Sequence, residues 1–83
     1  MRESIMNNEK TDFVVSLYME HSENLVFYAY RRIRDRELAK DLVHKSFAVL
    51  LTKIDEVMCH CNPVGWLYKT LHNLCLNEII KII

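Results

Sequence analysis

Four side chains in the C-terminal part of the sequence have the types and spacing needed to bind a nucleic acid. They recur at three- and four-residue intervals, and they are Trp66, Lys69, Asn73 and Asn77. On a helix these intervals place them along one face. A ring can stack on a base, an ammonium group can meet a phosphate, and a carboxamide can pair with a base edge. The alternative is a solvated helix face with Trp66 packed into the core.

A second group of residues suggests a metal site. Cys59, His60 and Cys61 carry thiol and imidazole groups of the kind that zinc binds. However, C-x-C spacing is unusual for zinc, and His72 and Cys75 would complete a ligand set only if the fold brought them close. We therefore predict no metal and no cofactor, and we interpret this segment as a loop with incidental thiols in a reducing compartment.

The acidic residues do not indicate catalysis. They are scattered rather than paired, and no nucleophile, base and orienting group occur together, so we predict that the protein is not an enzyme. The 11 basic and 11 acidic residues balance, but seven of the basic residues fall within residues 31–53, against three acidic ones. A basic middle segment is compatible with a surface that faces phosphates.

The predicted nucleic-acid face belongs to a helix whose start is signalled by Asn62 and Pro63. An Asn side chain accepts a hydrogen bond from an unpaired N–H of the first helical turn, and the fixed φ of Pro suits the first helical position. A second face of this helix is apolar, so we predict that it packs into the core. Its residues are Leu67, Leu71, Leu74 and Cys75.

A long helix is predicted near the N-terminus. Residues 1–8 are interpreted as a loose lead, and the periodicity predicts a helix over about residues 9–33. Asn8 or Thr11 is expected to cap it. The polar residues 21–24 mark a point where this helix is expected to bend or break.

Asp35 is predicted to cap the next helix, over about residues 36–53. Residues 55–61 then connect it to the helix that starts at Asn62. The core side of this middle helix is a wide apolar stripe of Leu38, Leu42, Val43, Phe47, Leu50, Leu51 and Ile54.

The chain of 83 residues is long enough for one domain, which we take as residues 1–83. About half of the residues are hydrophobic and there is one Gly and one Pro, which favours an all-α fold. We predict a compact three-helix bundle, with four helices as the alternative. No apolar run reaches the length of a membrane span and no signal-peptide pattern is present, so we expect a cytoplasmic protein without membrane contact.

Two motifs in this arrangement resemble region 2 of bacterial RNA polymerase sigma factors of the extracytoplasmic-function type. The first is ELAKDLVHKSF (residues 37–47), similar to the family pattern Ala-acidic-Asp-Leu-Val-Gln-Glu-x-Phe. The second is WLYKTLHN (residues 66–73), similar to Trp-Leu-Tyr-basic-Ile-Ala-x-Asn. The resemblance covers roughly residues 11–81. His44 and Lys45 stand where the first pattern has Gln and Glu.

The resemblance implies a binding site for RNA polymerase. In these sigma factors the first motif forms a helix that docks on the clamp helices of the polymerase β′ subunit. Asp41 and His44 occupy the contact positions, with Glu37 and Lys45 beside them. A carboxylate there would make strong charge-assisted bonds to arginine. An anti-sigma factor is a further partner that the family suggests.

The resemblance also implies a site for promoter DNA. The last helix and the loop before it resemble the part that captures the non-template single strand of the −10 element. Asn73 matches the Asn of the family, Trp66 and Lys69 lie beside it, and Asn77 and His60 extend the set. Opening a duplex costs stacking energy, which a pocket for an unstacked base offsets.

Two expectations qualify this interpretation. The second DNA-binding domain of the family, a helix-turn-helix that reads the −35 element, has no counterpart in this sequence, so we expect an excised domain or a shortened gene product. The alternative function is a helical interaction module that dimerises without DNA contact. Its basis is the isoleucine-rich segment Ile79–Ile83, an apolar surface that needs a partner.

Overall fold

The structure is a computed structural model that describes the backbone of residues 2–82 and the side chains of residues 8–81. Over that range the chain forms four α-helices and no strand. The helices are α1 (Arg2–Ile33), α2 (Arg36–Thr52), α3 (Ile54–Met58) and α4 (Pro63–Ile82). The predicted all-α bundle is confirmed. Three helices are long, and the short α3 makes four helices the observed count.

The start of α1 corrects one prediction. The backbone of residues 2–8 is helical rather than a loose lead, while Met1 lies outside the described residues. Asn8 and Thr11 therefore lie within α1 and do not cap it. The physical reason is that this stretch holds no Gly or Pro, so nothing in it interrupts a helix that the following residues already favour.

The predicted break at residues 21–24 is also wrong, because α1 runs through this segment as one helix of 32 residues. His21 and Ser22 are half-buried in spite of their polarity. Leu25, just beyond them, is fully buried. The packing of this face against the bundle outweighs the weak helix preference of the polar residues.

The turn between α1 and α2 reverses the chain. Arg34 adopts a left-handed conformation with φ 63, and its N–H donates to the carbonyl of Tyr30 at 2.7 Å. Asp35 follows in an extended conformation, and its Oδ1 accepts the N–H of Leu38 at 3.1 Å, which confirms the predicted cap. After this turn α2 packs against α1.

The core lies where α1, α2 and α4 meet, with α3 contributing Val57. Ser46 is the one buried polar side chain among the described residues, and its hydroxyl donates to the carbonyl of Val43 at 2.6 Å. An ion pair of 3.0 Å between Lys10 and Asp55 joins α1 to α3. The buried apolar residues are Leu17, Leu25, Ala29, Ala39, Leu42, Val43, Phe47, Leu50, Val57, Leu67, Leu71 and Cys75.

The predicted start of α4 is confirmed. The Oδ1 of Asn62 accepts the N–H of Gly65 at 3.0 Å, and Pro63 is the first helical residue. Gly65 is required by this arrangement, because a Cβ at that position would come within 2.5 Å of the Nδ2 of Asn62. The single glycine of the chain therefore gives the capping side chain its space.

Replacing Asn62 with alanine is expected to lower the free energy of unfolding by about 1 kcal/mol, because the first turn of α4 loses its side-chain acceptor. Urea denaturation followed by circular dichroism measures the change. Thr11→Ala is the control, since it removes a polar group from an exposed position inside α1 where no cap exists. An Asn62→Ala loss no larger than that of the control would contradict the capping role.

Candidate nucleic-acid interface

Most of the predicted nucleic-acid residues lie in one groove, which we call the reading groove. It is formed by the C-terminal part of α2, the segment around α3 and the N-terminal half of α4. Trp66, Lys69 and Asn73 line it from α4, and His60 lines it from the loop before α4. Asn77, one turn beyond Asn73, does not line it. The structure thus brings four of the five side chains together, and their role in DNA binding stays a prediction.

The side chains of the reading groove differ in how firmly they are held. Lys69 and Asn73 are exposed, whereas Trp66 is half-buried and packs against the core. The core alternative for Trp66 is therefore correct for part of the ring, and the rest of the ring faces the groove. A ring anchored in this way loses little conformational freedom when a ligand stacks on it.

The groove residues that lie before the loop and α4 were not predicted from the sequence. They are Val49 on α2, Lys53 just after α2, and Glu56 on α3. Lys53 and Lys69 bring two ammonium groups to a lining with one carboxylate, and neither lysine forms an ion pair with a described side chain. Lys53 belongs to the basic segment of the sequence, but no sequence pattern indicates that the end of α2 lies beside α4.

His60 is held at the edge of the reading groove by the loop that precedes α4. Its ring Nδ1 accepts the backbone N–H of Asn62 at 3.0 Å, and its backbone N–H donates to the carbonyl of Val57 at 3.0 Å. The ring is thus tied to the residue that caps α4. Because Nδ1 is occupied as an acceptor, Nε2 is the ring atom that remains to donate to a ligand in the groove.

The thiols and imidazoles do not converge on one point. Cys59 and Cys61 are exposed in the loop, whereas Cys75 is fully buried in the core. Burial raises the pKa of the Cys75 thiol above its ordinary value, and the positive charge of Arg32 partly opposes this shift. His72 is bonded through Nδ1 to the hydroxyl of Tyr28 at 3.2 Å. Within the described residues, no group of three or more Cys, His, Asp or Glu side chains has the arrangement of a metal site.

The residues predicted to bind polymerase form an exposed surface on α2, which we call the docking face. Glu37, Asp41, His44 and Lys45 all point to solvent, at intervals that keep them on one side of the helix. Neither carboxylate forms an ion pair with a described side chain. Their contact with polymerase stays a prediction.

The docking face continues into a groove between α1 and α2. The hydroxyl of Tyr18 lies 3.5 Å from Nε2 of His44, and the two rings stack at a centroid distance of 6.4 Å. Phe27 and Tyr30 of α1 line the same groove, and they are 60% and 38% exposed. Sequence analysis did not assign these aromatic residues to a binding surface, although exposed rings beside a charged helix are typical of protein interfaces.

The C-terminal part of α4 presents apolar residues to solvent. Leu76 is 43% exposed and Ile80 is 68% exposed, while Ile79 is half-buried. The side chain of Ile82 and all of Ile83, which belong to the predicted dimer contact, lie outside the described residues. No helix in residues 2–82 combines the length and the apolar character needed to cross a bilayer.

Comparison with known proteins identifies the family. Residues 17–81 match Sigma-70 region 2, which is most of the chain. The chain therefore belongs to the sigma-70 region 2 family. This family is a module of transcription initiation and is not enzymatic, as the sequence analysis predicted.

A curated relative shows the same relationship over part of its length. RNA polymerase sigma factor YlaC of Bacillus subtilis (strain 168) is 29% identical to this chain over 66 residues. The matched region covers 80% of this chain and 38% of YlaC, so the chain spans less than half of the relative. No solved structure matches the chain.

Proposed function

We propose that this chain binds the core of RNA polymerase through the β′ clamp helices and recognises the single-stranded −10 element of promoters in the cytoplasm. The observation that carries the proposal is the reading groove, in which Trp66, Lys69, Asn73 and His60 lie together. Membership of the sigma-70 region 2 family supports it. An anti-sigma factor that covers one of these surfaces is a further proposed partner.

In this proposal the groove divides the work of binding a strand. The exposed part of Trp66 stacks on an unpaired base, which is worth about 1–3 kcal/mol. Asn73 pairs with the edge of a base and supplies discrimination. Lys53 and Lys69 neutralise phosphates on either side, and the Nε2 of His60 donates a further hydrogen bond. The Trp66 ring, the Asn62 cap and the His60 ring bonded to Asn62 are in place before DNA binds, so little ordering is needed on binding.

The docking face and the reading groove use different residues of α2. The docking face consists of exposed side chains within residues 37–45 of α2. From this part of the chain the reading groove takes only Val49, near the end of α2, and Lys53, which directly follows α2. The two surfaces share no residue. A β′ helix on the first and a DNA strand in the second can therefore be bound at the same time, as recruitment of a promoter to polymerase requires.

The test is fluorescence anisotropy of a labelled single-stranded −10 oligonucleotide and a scrambled one, with and without the β′ clamp fragment. Asn73→Ala is expected to remove the preference for the −10 sequence, a change of about 1–3 kcal/mol or roughly 5- to 150-fold. Asn8→Ala is the matched control, because Asn8 is an exposed asparagine on α1 outside the groove. The clamp fragment is expected to strengthen binding of the wild-type chain.

Two results would contradict the proposal. One is equal binding of the two oligonucleotides by the wild-type chain in the presence of the clamp fragment. The other is a preference that Asn73→Ala leaves intact, which would place recognition outside the reading groove.

A second candidate function is self-association through α4. The observation that favours it is the exposure of Leu76 and Ile80, which lie one turn apart on the same side of the helix. Exposed apolar side chains in a row favour a protein interface. A mass that rises with concentration in sedimentation, and that falls back to the monomer with Ile80→Lys, would support this function.

A further inference from the structure

A concentration of arginines lies at the end of the bundle where α1 passes into α2. Arg31 and Arg32 end α1, Arg34 lies in the turn, and Arg36 begins α2. All four side chains are exposed, and none forms an ion pair with a described side chain. The carboxylate of Asp35 within this stretch is turned to the first turn of α2, where it caps Leu38.

Local stability does not explain two of these arginines. Arg34 has φ 63, a left-handed conformation that costs a residue with a Cβ on the order of 1–2 kcal/mol. Arg36 puts a positive charge at the N-terminus of α2, where the helix dipole disfavours it. A glycine or asparagine at the first position and an acidic residue at the second would suit the fold better. The positive charge of this end is therefore suited to a ligand.

Beside these arginines, α1 and α4 enclose an open groove, which we call the α1–α4 groove. It is lined by Asn24, Phe27, Tyr28, Arg31, Arg32 and Tyr68. No carboxylate is among them, whereas Glu56 lines the reading groove and Glu23 lines the groove between α1 and α2. Of these three grooves, the α1–α4 groove is the one whose described lining is positive without an acidic residue.

The Arg32 side chain is held in position before any ligand binds. Its guanidinium lies over the ring of Tyr28 at 3.7 Å from the centroid, and its Nη1 donates to the carbonyl of Tyr28 at 3.2 Å. Tyr28 is itself fixed, because it packs edge-on against Tyr68 at 5.2 Å and bonds to His72. The remaining N–H donors of Arg32 have no partner among the described residues, so they are available to an anion.

Arg31 and Phe27 form a second cation and ring pair next to Arg32. The guanidinium of Arg31 lies 5.7 Å from the centroid of Phe27, and Phe27 is 60% exposed. An exposed ring beside cations is an arrangement that proteins use for single strands, in which the ring stacks on a base and the cations meet phosphates. A free inorganic anion would use the arginines but not the ring.

We propose that the α1–α4 groove is a second contact for single-stranded nucleic acid, in which Arg31 and Arg32 bind the phosphate backbone without regard to sequence and Phe27 stacks on a base. Tyr68 lines this groove and Lys69, the next residue of α4, lines the reading groove. A helix with its side chains is about 10–12 Å wide, so a few nucleotides of one strand cross α4 from one groove to the other. This inference rests on the proposed function in one respect, which is that the strand bound is the promoter strand in the reading groove.

The test is a salt series of anisotropy measurements on the full chain, with single strands of two unrelated sequences. Each phosphate contact on a single strand contributes about 0.7 to the slope of log affinity against log salt. Arg31→Gln with Arg32→Gln is expected to reduce the magnitude of this slope by about 1.4 for both sequences. The gain in affinity between 1 M and 0.1 M salt is then roughly 25-fold smaller for the variant than for the wild-type chain. Phe27→Ala is expected to lower affinity about tenfold and to leave the slope unchanged.

The control is Arg31→Lys with Arg32→Lys, which keeps both positive charges at the same positions and is therefore expected to keep the wild-type slope. Circular dichroism confirms that each variant is folded. A slope for the arginine variant equal to that of the control overturns the proposal, as does failure of the wild-type chain to bind either strand at low salt. An unchanged slope together with weaker binding of the β′ fragment would also overturn it and assign the arginines to a protein partner.

The outcome is separate from that of the −10 proposal. Asn73→Ala is expected to change sequence preference and not the salt slope. If Asn73→Ala has no effect while the arginine variant still lowers the slope, recognition of the −10 element fails and the phosphate contact stands.

Discussion

Changing Asp41 to asparagine is expected to weaken binding of the β′ clamp fragment by about 2 kcal/mol, or roughly 30-fold. The carboxylate is exposed on the docking face and has no ion-pair partner among the described side chains, so its full charge is available to an arginine of polymerase. Loss of one partner of a charge pair at an interface mainly raises the rate of dissociation. Surface plasmon resonance with the clamp fragment measures both the affinity and that rate.

Asp12→Asn is the control for this prediction. Asp12 is also an exposed aspartate without an ion pair to a described side chain, but it lies on α1, so the two variants change net charge equally. Equal, small losses in both variants would mean that polymerase responds to net charge and does not contact Asp41. In that case the docking face would have to be moved from α2 to the exposed rings of α1, with Tyr18 and Phe27 as the first residues to change.

The docking face carries charges of both signs, which affects how this experiment is run. Lys40 and Lys45 flank Asp41 on the surface of α2. At low salt their repulsion of a basic partner partly cancels the attraction to Asp41, and at physiological salt charges beyond about 8 Å are largely screened. The effect of Asp41→Asn is therefore expected to be clearest near physiological salt, where contacts dominate over the general field.

The helix starts could be predicted because their causes are local. Asp35 caps α2 and Asn62 caps α4 through bonds that span three residues, and both were read directly from the sequence. The start of α1 could not be read in the same way. Residues 2–8 have no apolar periodicity, and the absence of a helix breaker turned out to matter more than the absence of a pattern.

In the candidate site, too, the residues with local causes could be predicted and those that depend on helix packing could not. Trp66, Lys69 and Asn73 share a helix, so their spacing alone places them on one face. Lys53 reaches the same groove only because α2 packs against α4, and no local pattern carries that information. The stacking of Arg32 on Tyr28 is local to α1, whereas the approach of Tyr68 to Tyr28 depends on how α1 meets α4. Sequence reasoning therefore predicted groove residues on α4 and in the loop before it, and missed those on α2 and α3.

α4 lines both the reading groove and the α1–α4 groove, and its opposite side packs into the core, where Leu71 lies. Leu71 is 0% exposed and lies in the sequence between Lys69 and Asn73 of the reading groove. Leu71→Ala is expected to lower the free energy of unfolding by about 2–5 kcal/mol, because it removes buried apolar area and leaves a cavity that the surrounding residues cannot fully close. Urea denaturation measures the loss, which is a large part of the 5–15 kcal/mol typical of a domain.

Leu76→Ala makes the same chemical change at a position on α4 that is 43% exposed, so it is expected to cost less than about 1 kcal/mol. A comparable loss in both variants would mean that α4 is not held through Leu71.

The Leu71→Ala and Leu76→Ala variants also separate the effect on folding from the effect on strand binding. At a temperature where Leu71→Ala remains folded, its affinity for single strands is expected to fall. Trp66, Lys69 and Asn73 share α4, so weaker packing of this helix on the core disturbs all three contacts together. Unchanged affinity would mean that the strand itself fixes α4 on binding.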